Sequence, residues 1–489
     1  MKKEKVCLNR KVKTILKKVE LKSDILVPDI KPDIVSIINT NGIPYVIKEN
    51  VEYGKVKVEG NIESYIIYLA DTGENRSIST TLSFFEVIED ERIKENSVID
   101  VRPMIINMES KILNERKVEL TIYLVLKIEI SEEDEIELLS ECDDYDIEKL
   151  EKNLKIKNIV SRNKVQNSLK DILKVEDNSK ILEIFKVDIE VKNVETKMSF
   201  NKLLAKAEVE ICLLYLDDNK CVRKINSSFP LMTFIDVQNS SDNYMVDIDY
   251  IVRNVFFKIQ NEGESVEFQI DFEIQSVLYE EKEIKVIEDV YSLTKVLDVE
   301  SKCVNLEMIT NDEIENLVKI NETYKIDNMK NLLGSEINVY KVNQKEINEN
   351  INVEGEVVLK LYYEINGDNN IKINLIKVPF IYKCTNADNV NFKIHKYEIK
   401  EVLGGINLYV EIVDECNSNF KDITLINEIK VQEDLDVDDY NLIVYFVKKG
   451  DTIWNIAKKF RVTMDSIVKI NELECKDKLN VGEKLYIMR

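Results

Sequence analysis

Apolar and polar residues alternate through most of this chain. Lys117-Val118-Glu119-Leu120-Thr121-Ile122-Tyr123-Leu124 and Glu267-Phe268-Gln269-Ile270-Asp271-Phe272 repeat with a period of two, which turns one face of a strand to a core and the other to water. The pattern predicts half-buried antiparallel strands. Residues 32–38, 169–175 and 314–320 have helical spacing instead and read as three short helices. A longer change of period comes only after residue 441. There 443–447 reads as a strand, Gly450-Asp451-Thr452 as a turn, two amphipathic helices follow, and 484–487 closes as a second strand.

The local chemistry of that tail is consistent throughout. Gly450 supplies the positive φ of a tight turn, and Asp451 or Thr452 can cap the next helix. Ile453, Ile456, Ala457 and Phe460 give that helix one apolar face. Thr463 is a second cap, followed by Met464, Ile467 and Val468 at helical spacing. Asn471 stands where a left-handed residue can end the helix, and Gly482 opens the turn into the last strand.

The strand-rich part repeats itself. Residues 58–68 (VEGNIESYIIY) align without a gap with 205–215 (AKAEVEICLLY) and 353–363 (VEGEVVLKLYY), at spacings of 147 and 148 residues. Such spacings mark domain-sized repeats. Gly60, Ala207 and Gly355 recur eight positions before Tyr68, Tyr215 and Tyr363, a small residue that lets something pack close. Phe84-Phe85, Phe229-Pro230-Leu231 and Pro379-Phe380 follow at similar distances. The reading is mainly β: three tandem β-sandwich-like repeats, then a small α+β module of βααβ order. Boundaries follow charge, with a first repeat at 1–131, an acidic linker at 132–152, repeats at 153–300 and 301–432, a second acidic linker at 433–440, and the terminal module at 441–489.

Charge refines this picture. The chain carries a formal −23. Residues 441–489 hold 10 Lys and Arg against 6 Asp and Glu, a net +4 that leaves −27 for the rest. Residues 1–22 are also basic, with 9 Lys and Arg against 2 Glu. An acidic body with basic ends suits protein partners and disfavours nucleic acid, although acidity for solubility alone gives the same composition. The basic start lacks the apolar core of a signal peptide, and no apolar run approaches the ~18 residues of a membrane span. A cytoplasmic protein without a transmembrane segment is expected. Val12, Ile15, Leu16 and Val19 fit either a membrane-surface helix or the first strand of repeat one. The eight cysteines are scattered without a C-x-x-C pair, a reduced-thiol pattern.

The tail resembles the LysM module, which usually binds N-acetylglucosamine-containing glycans. Asp24-Ile25-Leu26-Val27-Pro28-Asp29-Ile30-Lys31-Pro32-Asp33-Ile34-Val35 and Asn114-Glu115-Arg116-Lys117 resemble the "ILPDxKPDI" and "NxRK" segments of a clostridial domain of unknown function. Repeats of that domain followed by one LysM module are similar to the SipL-type spore-coat morphogenetic proteins of clostridia. Repeats two and three lack both segments, so a function tied to them is expected in repeat one. The resemblance implies a coat-assembly factor made in the mother cell and located at the forespore surface. Its LysM module would dock on the basement-layer ATPase, stage IV sporulation protein A, with other coat proteins as further partners. It favours the strand reading of the basic start. Gly450, Asp451, Thr452, Ile453, Val481 and Gly482 border the groove where LysM relatives hold ligand. Trp454 and Asn471 complete the candidate partner or glycan-binding set. Val481-Gly482 replaces the usual Pro-Gly, so any affinity for N-acetylglucosamine glycans is expected to be weak.

No catalytic, cofactor-binding or metal-binding set emerges. The sole histidine, His395, lies in a strand-like run without a Cys or His partner at ligand spacing. Phosphate-binding and zinc-protease motifs are absent, and no carboxylate pair stands out among 91 acids. The expected function is a non-enzymatic scaffold in which the repeats form an extended acidic body. The alternatives are a peptidoglycan-binding phage tail or baseplate component and a cell-wall-associated protein, including an exported hydrolase.

Overall fold

The computed structural model describes residues 2–488 except 142–145, 176–178, 238–240, 242, 309–316, 348–349, 385–391, 415–419, 435–441 and 474–478. One six-strand plan recurs three times. Repeat I comprises β1 (Lys2–Leu26), β2 (Ile34–Glu52), β3 (Lys55–Ala70), β4 (Asn75–Glu89), β5 (Val98–Asn114) and β6 (Lys117–Glu141). They form two antiparallel sheets of order β1-β6-β5 and β2-β3-β4. Repeat II uses β7 (Ile147–Lys174), β8 (Ile181–Ser199), β9 (Lys202–Asp217), β10 (Val222–Asp236), β11 (Met245–Gln260) and β12 (Ser265–Ser292) in the same two orders.

Repeat III splits its first and last strands. β13 (Lys295–Glu307) and β14 (Val318–Lys325) take the first position, and β19 (Gly405–Asp414) and β20 (Phe420–Asp434) take the last. Between them run β15 (Met329–Ile347), β16 (Asn350–Ile365), β17 (Asp368–Cys384) and β18 (Phe392–Val402). The sheets are β14-β19-β18, β15-β16-β17 and the two-stranded β13-β20.

The strand carrying the recurrent motif is central in each repeat, as β3, β9 and β16. Its small residue has a specific partner. Gly60 lies opposite Phe84, and a Cβ there would overlap the Phe84 ring and the Tyr45 carbonyl oxygen. Gly355 is covered by Phe380 in the same manner. Repeat II pairs Ala207 with Leu231 instead, so the two positions change together. Gly60→Ala is expected to destabilise repeat I by about 1–3 kcal/mol through overpacking. Adding Phe84→Leu, the pairing repeat II already uses, should recover part of that loss in a double-mutant cycle read by urea unfolding. Equal losses in the single and double variants would show the positions to be uncoupled.

Beyond its small residue the motif strand is buried on both faces. Ile66 and Tyr68 enter the core of repeat I, whereas Tyr65 joins that of repeat II. Ile67, Leu214, Leu216 and Tyr362, with Phe185 and Leu333, form a core shared by all three repeats. The repeats therefore meet around a common centre and do not form the extended body expected from sequence. Burial of both faces replaces alternation by the continuous runs Tyr65–Tyr68 and Leu213–Leu216.

A second meeting point lies along the outer halves of the first and last strands, which pair as three ribbons. Val6 and Ile136 of one ribbon, Leu154 and Ile284 of the next, and Leu306 and Leu425 of the third share one apolar cluster. Residues 132–141, expected as part of an acidic linker, are here strand β6. They pair with the basic start of β1, with Lys2 opposite Glu141 and Lys5 bonded to Glu135 at 2.6 Å. Residues 147–152 begin β7. Opposite charges across a ladder stabilise it, which is why an acid-rich stretch forms a strand here. Of the second linker, 433–434 end β20, and 435–440 lie outside the described residues.

The expected short helices are also strands. Residues 34–38 open β2, where register shifts after Ile34 and Ile37 insert bulges that disturb period two and imitate helical spacing. Leu169 and Leu173, four apart, lie on the core face of β7, a separation that both periods allow. Residues 318–320 belong to β14, and 314–316 lie outside the described residues.

Candidate functional site

The tail folds as β21 (Ile443–Phe446), α1 (Ile453–Phe460), α2 (Met464–Ile470) and β22 (Lys484–Ile487), with β21 and β22 antiparallel. Thr452 caps α1 by accepting from the Asn455 N–H at 3.1 Å, and Thr463 caps α2 through Ser466 at the same distance. Asp451 fixes the preceding turn: its carboxylate accepts from the Lys448 N–H at 2.7 Å and the Tyr445 hydroxyl at 2.8 Å. Those bonds hold its carboxyl below the usual carboxylate range. Gly450 and Gly482 have φ of 89° and 85°, which only glycine adopts freely.

The loops after β21 and before β22 leave the same end of the sheet. They are tied by Gly482 N–H to the Val447 carbonyl at 2.8 Å and Val447 N–H to that of Glu483 at 2.9 Å. This brings Gly450, Asp451 and Thr452 beside Val481 and Gly482, with Ile453 buried beneath. Asn471 stands apart and is not left-handed, with φ of −100°; Glu472 takes the positive φ instead. The Asn471 side-chain amide joins α2 to β22, donating to the Ile467 and Tyr486 carbonyls at 2.8 and 2.7 Å and accepting from Tyr486 N–H at 2.6 Å.

Trp454 faces repeat II. It is 6% exposed, its indole N–H donates to Asp289 at 2.8 Å, and its ring meets Tyr291 edge-on at 5.0 Å between centroids. Lys458 reaches the same carboxylate at 2.6 and 2.7 Å. The Tyr291 hydroxyl donates to the Val462 carbonyl at 2.7 Å, and Arg461 donates to that of Ser292 at 2.9 Å. The module is thus seated on the end of β12. Burial favours the neutral acid at Asp289, but the bonds from Lys458 and Trp454 outweigh it and depress its pKa.

The two sequence segments of repeat I also come together. Arg116 Nη1 donates to the Lys31 carbonyl at 2.6 Å and to Asp33 at 2.9 Å. Its Nη2 donates to the Pro28 and Val27 carbonyls at 2.8 and 3.2 Å. One planar guanidinium thereby holds the whole 27–33 loop. That loop aims Lys31 at Glu183 of repeat II, 3.1 Å away. Arg116 is a loop clamp, and the segments it joins serve the contact between repeats.

Sequence reasoning missed a polar cluster where the repeats meet. A cavity of about 1990 Å³ is lined by β2 and β5, β8, and β15 and β18. Behind its wall Asn39 donates to the Tyr362 hydroxyl at 2.7 Å, and that hydroxyl donates to the lining residue Glu336 at 2.5 Å. Buried Lys186 pairs with Asp188 and lies 3.5 Å from Glu336. Burial raises the pKa of Asp188 and Tyr362 and lowers that of Lys360. A polar residue inside an otherwise apolar stretch, as Lys186 stands between Phe185 and Val187, was the available signal. His395 lies exposed on β18 at the cavity rim. Among the described residues no cluster of His, Cys, Asp or Glu has the geometry of a metal site. No described helix is long and apolar enough to cross a membrane.

Comparison with known families gives two matches. The LysM domain matches residues 445–487, which span the βααβ fold. The SipL, SPOCS domain matches residues 180–260, from β8 to the end of β11. That match falls in repeat II, not in repeat I with its two recognisable segments. No curated protein and no solved structure matches the chain. Both matched families are binding domains, and the chain joins a SPOCS domain to a LysM domain, the combination that matches SipL-type proteins with LysM.

Proposed function

We propose that this chain is a non-enzymatic spore-coat assembly scaffold, made in the mother cell. It docks through its LysM module on the basement-layer ATPase of the stage IV sporulation protein A type at the forespore surface. The observation that carries this reading is the joining of a SipL SPOCS domain and a LysM domain in one chain. The seat of the module on β12 supports it, because a head fixed to a multi-repeat body transmits its attachment to whatever the body gathers. N-acetylglucosamine glycans are a second ligand class, since Gly450, Thr452, Val481 and Gly482 remain exposed at the loops.

Deleting residues 441–489 is expected to abolish co-purification with the basement ATPase while the repeats keep their β-rich circular dichroism. It should also collapse the forespore shell formed by a fluorescently tagged copy in sporulating cells. Undiminished co-purification, or diffuse signal throughout sporulation, would count against the scaffold and favour a phage-assembly role.

A further inference from the structure

The two-stranded sheet of the LysM module has an unusual outer face. Its inward positions pack on the helices: Leu485 and Ile487 are fully buried, and Ile443 and Tyr445 lie against the same core. Its outward positions should be polar in a solvated sheet. Instead Val444 stands opposite Tyr486, and Phe446 opposite Lys484. Leu442 and Met488 flank this ladder. Phe446 is 59% exposed, and Leu442, Val444, Tyr486 and Met488 are likewise open. Lys484, the one polar member, lies over the Tyr486 ring at 4.5 Å and donates to its hydroxyl at 2.7 Å, leaving Phe446 uncovered. Contiguous exposed apolar positions of this kind mark interaction sites.

The α1 side of the module, carrying Trp454 and Lys458, is taken by β12, and the loop end carries Gly450, Asp451, Thr452 and Gly482 beside exposed Val481. Exposed Lys448 and Lys449 follow Phe446 after the buried Val447, and the module carries a net positive charge. We infer that the outer face of the β21–β22 sheet, and not the loop groove, receives the protein partner. The matching surface has an apolar centre and an acidic rim. Phe446 and Tyr486 are its anchors, aromatic residues being favoured at interface centres. The basic rim speeds encounter and makes it salt-dependent. This inference rests on the docking role proposed above.

The test uses the full-length chain and the purified basement-layer ATPase. Val444→Ser with Phe446→Ser is expected to weaken binding about tenfold or more, and by more than Val481→Ser in the loop groove. Unchanged fluorescence of Trp454 would show that the module remains folded and seated. Lys448→Glu with Lys449→Glu should weaken binding chiefly at low salt. Wild-type affinity in the sheet variant, or a larger loss in Val481→Ser, overturns the inference. So does sedimentation showing a wild-type dimer that the sheet variant dissociates, because a second copy then covers the face. If deletion of 441–489 also leaves binding intact, the docking role itself fails. If deletion abolishes binding and the sheet variant does not, only the choice of face fails.

Discussion

Glu183→Ala is expected to destabilise the protein by about 3–5 kcal/mol, the range for removing one member of a buried ionic group. Glu183 is 6% exposed and collects donors from repeat I. The Arg76 guanidinium reaches it through Nε at 2.9 Å and through Nη2, and Ser77 N–H donates at 2.7 Å. Lys31 adds its ammonium from the clamped loop. Truncation leaves Arg76 and Lys31 facing each other at the junction without the carboxylate that contacts both. Burial already lowers the pKa of Lys31, and Glu183 and its hydrogen bond oppose that. Urea unfolding should show the lower midpoint, and repeats I and II should lose their common transition. An unchanged midpoint would mean that Glu183 adds nothing to the other contacts between the repeats, among them Arg253 with Glu49 at 2.8 Å.

Asp289→Ala is expected to unseat the LysM module from β12 at a cost of about 2 kcal/mol, the scale of hydrogen bonds to a charged group plus a partly solvated ion pair. That shifts the ratio of seated to free modules by roughly thirtyfold. Trp454 is the sole tryptophan and donates directly to Asp289, so its emission reports whether the module is seated. Acid should act in the same direction as the substitution. The carboxyl of Asp289 is depressed in the folded protein, so its contribution is complete above the ordinary aspartate range. It is lost as pH falls below about 4 through the depressed value. Asp289→Ala should flatten that part of the fluorescence profile. An identical acid transition in the variant would assign the effect to another group.

Strand content, the number of repeats and the LysM module were legible because each rests on a short-range pattern: period two, self-similarity, and caps with turn glycines. The Gly60–Phe84 contact was half legible, since the small residue signalled close approach without naming its partner. What stayed hidden was long-range. Asp289 and Trp454 are 165 residues apart, and nothing local distinguishes Asp289 from other acids of β12. The runs Tyr65–Tyr68 and Leu213–Leu216 did carry the sign of burial on both faces, but a buried strand and a helix segment look alike at that length. Acid density at 132–141 suggested solvation, because the pairing basic strand lies more than a hundred residues earlier. The eight candidate residues of the module divided accordingly. The turn and groove residues cluster, whereas Trp454 and Asn471 are occupied within the chain.

The pairing of first and last strands also sets an order of events on the ribosome. Lys2 of β1 meets Glu141 of β6, so β1 emerges early and cannot close its sheet until the whole repeat has been made. At ordinary elongation rates that interval is several seconds to about half a minute. During it the nascent strand is a lysine-rich edge that accepts an acidic partner and repels the basic strands most available to it on neighbouring nascent chains. The charge pattern of β1 and β6 thus favours the opening strand's own partner over another basic strand once that partner is translated.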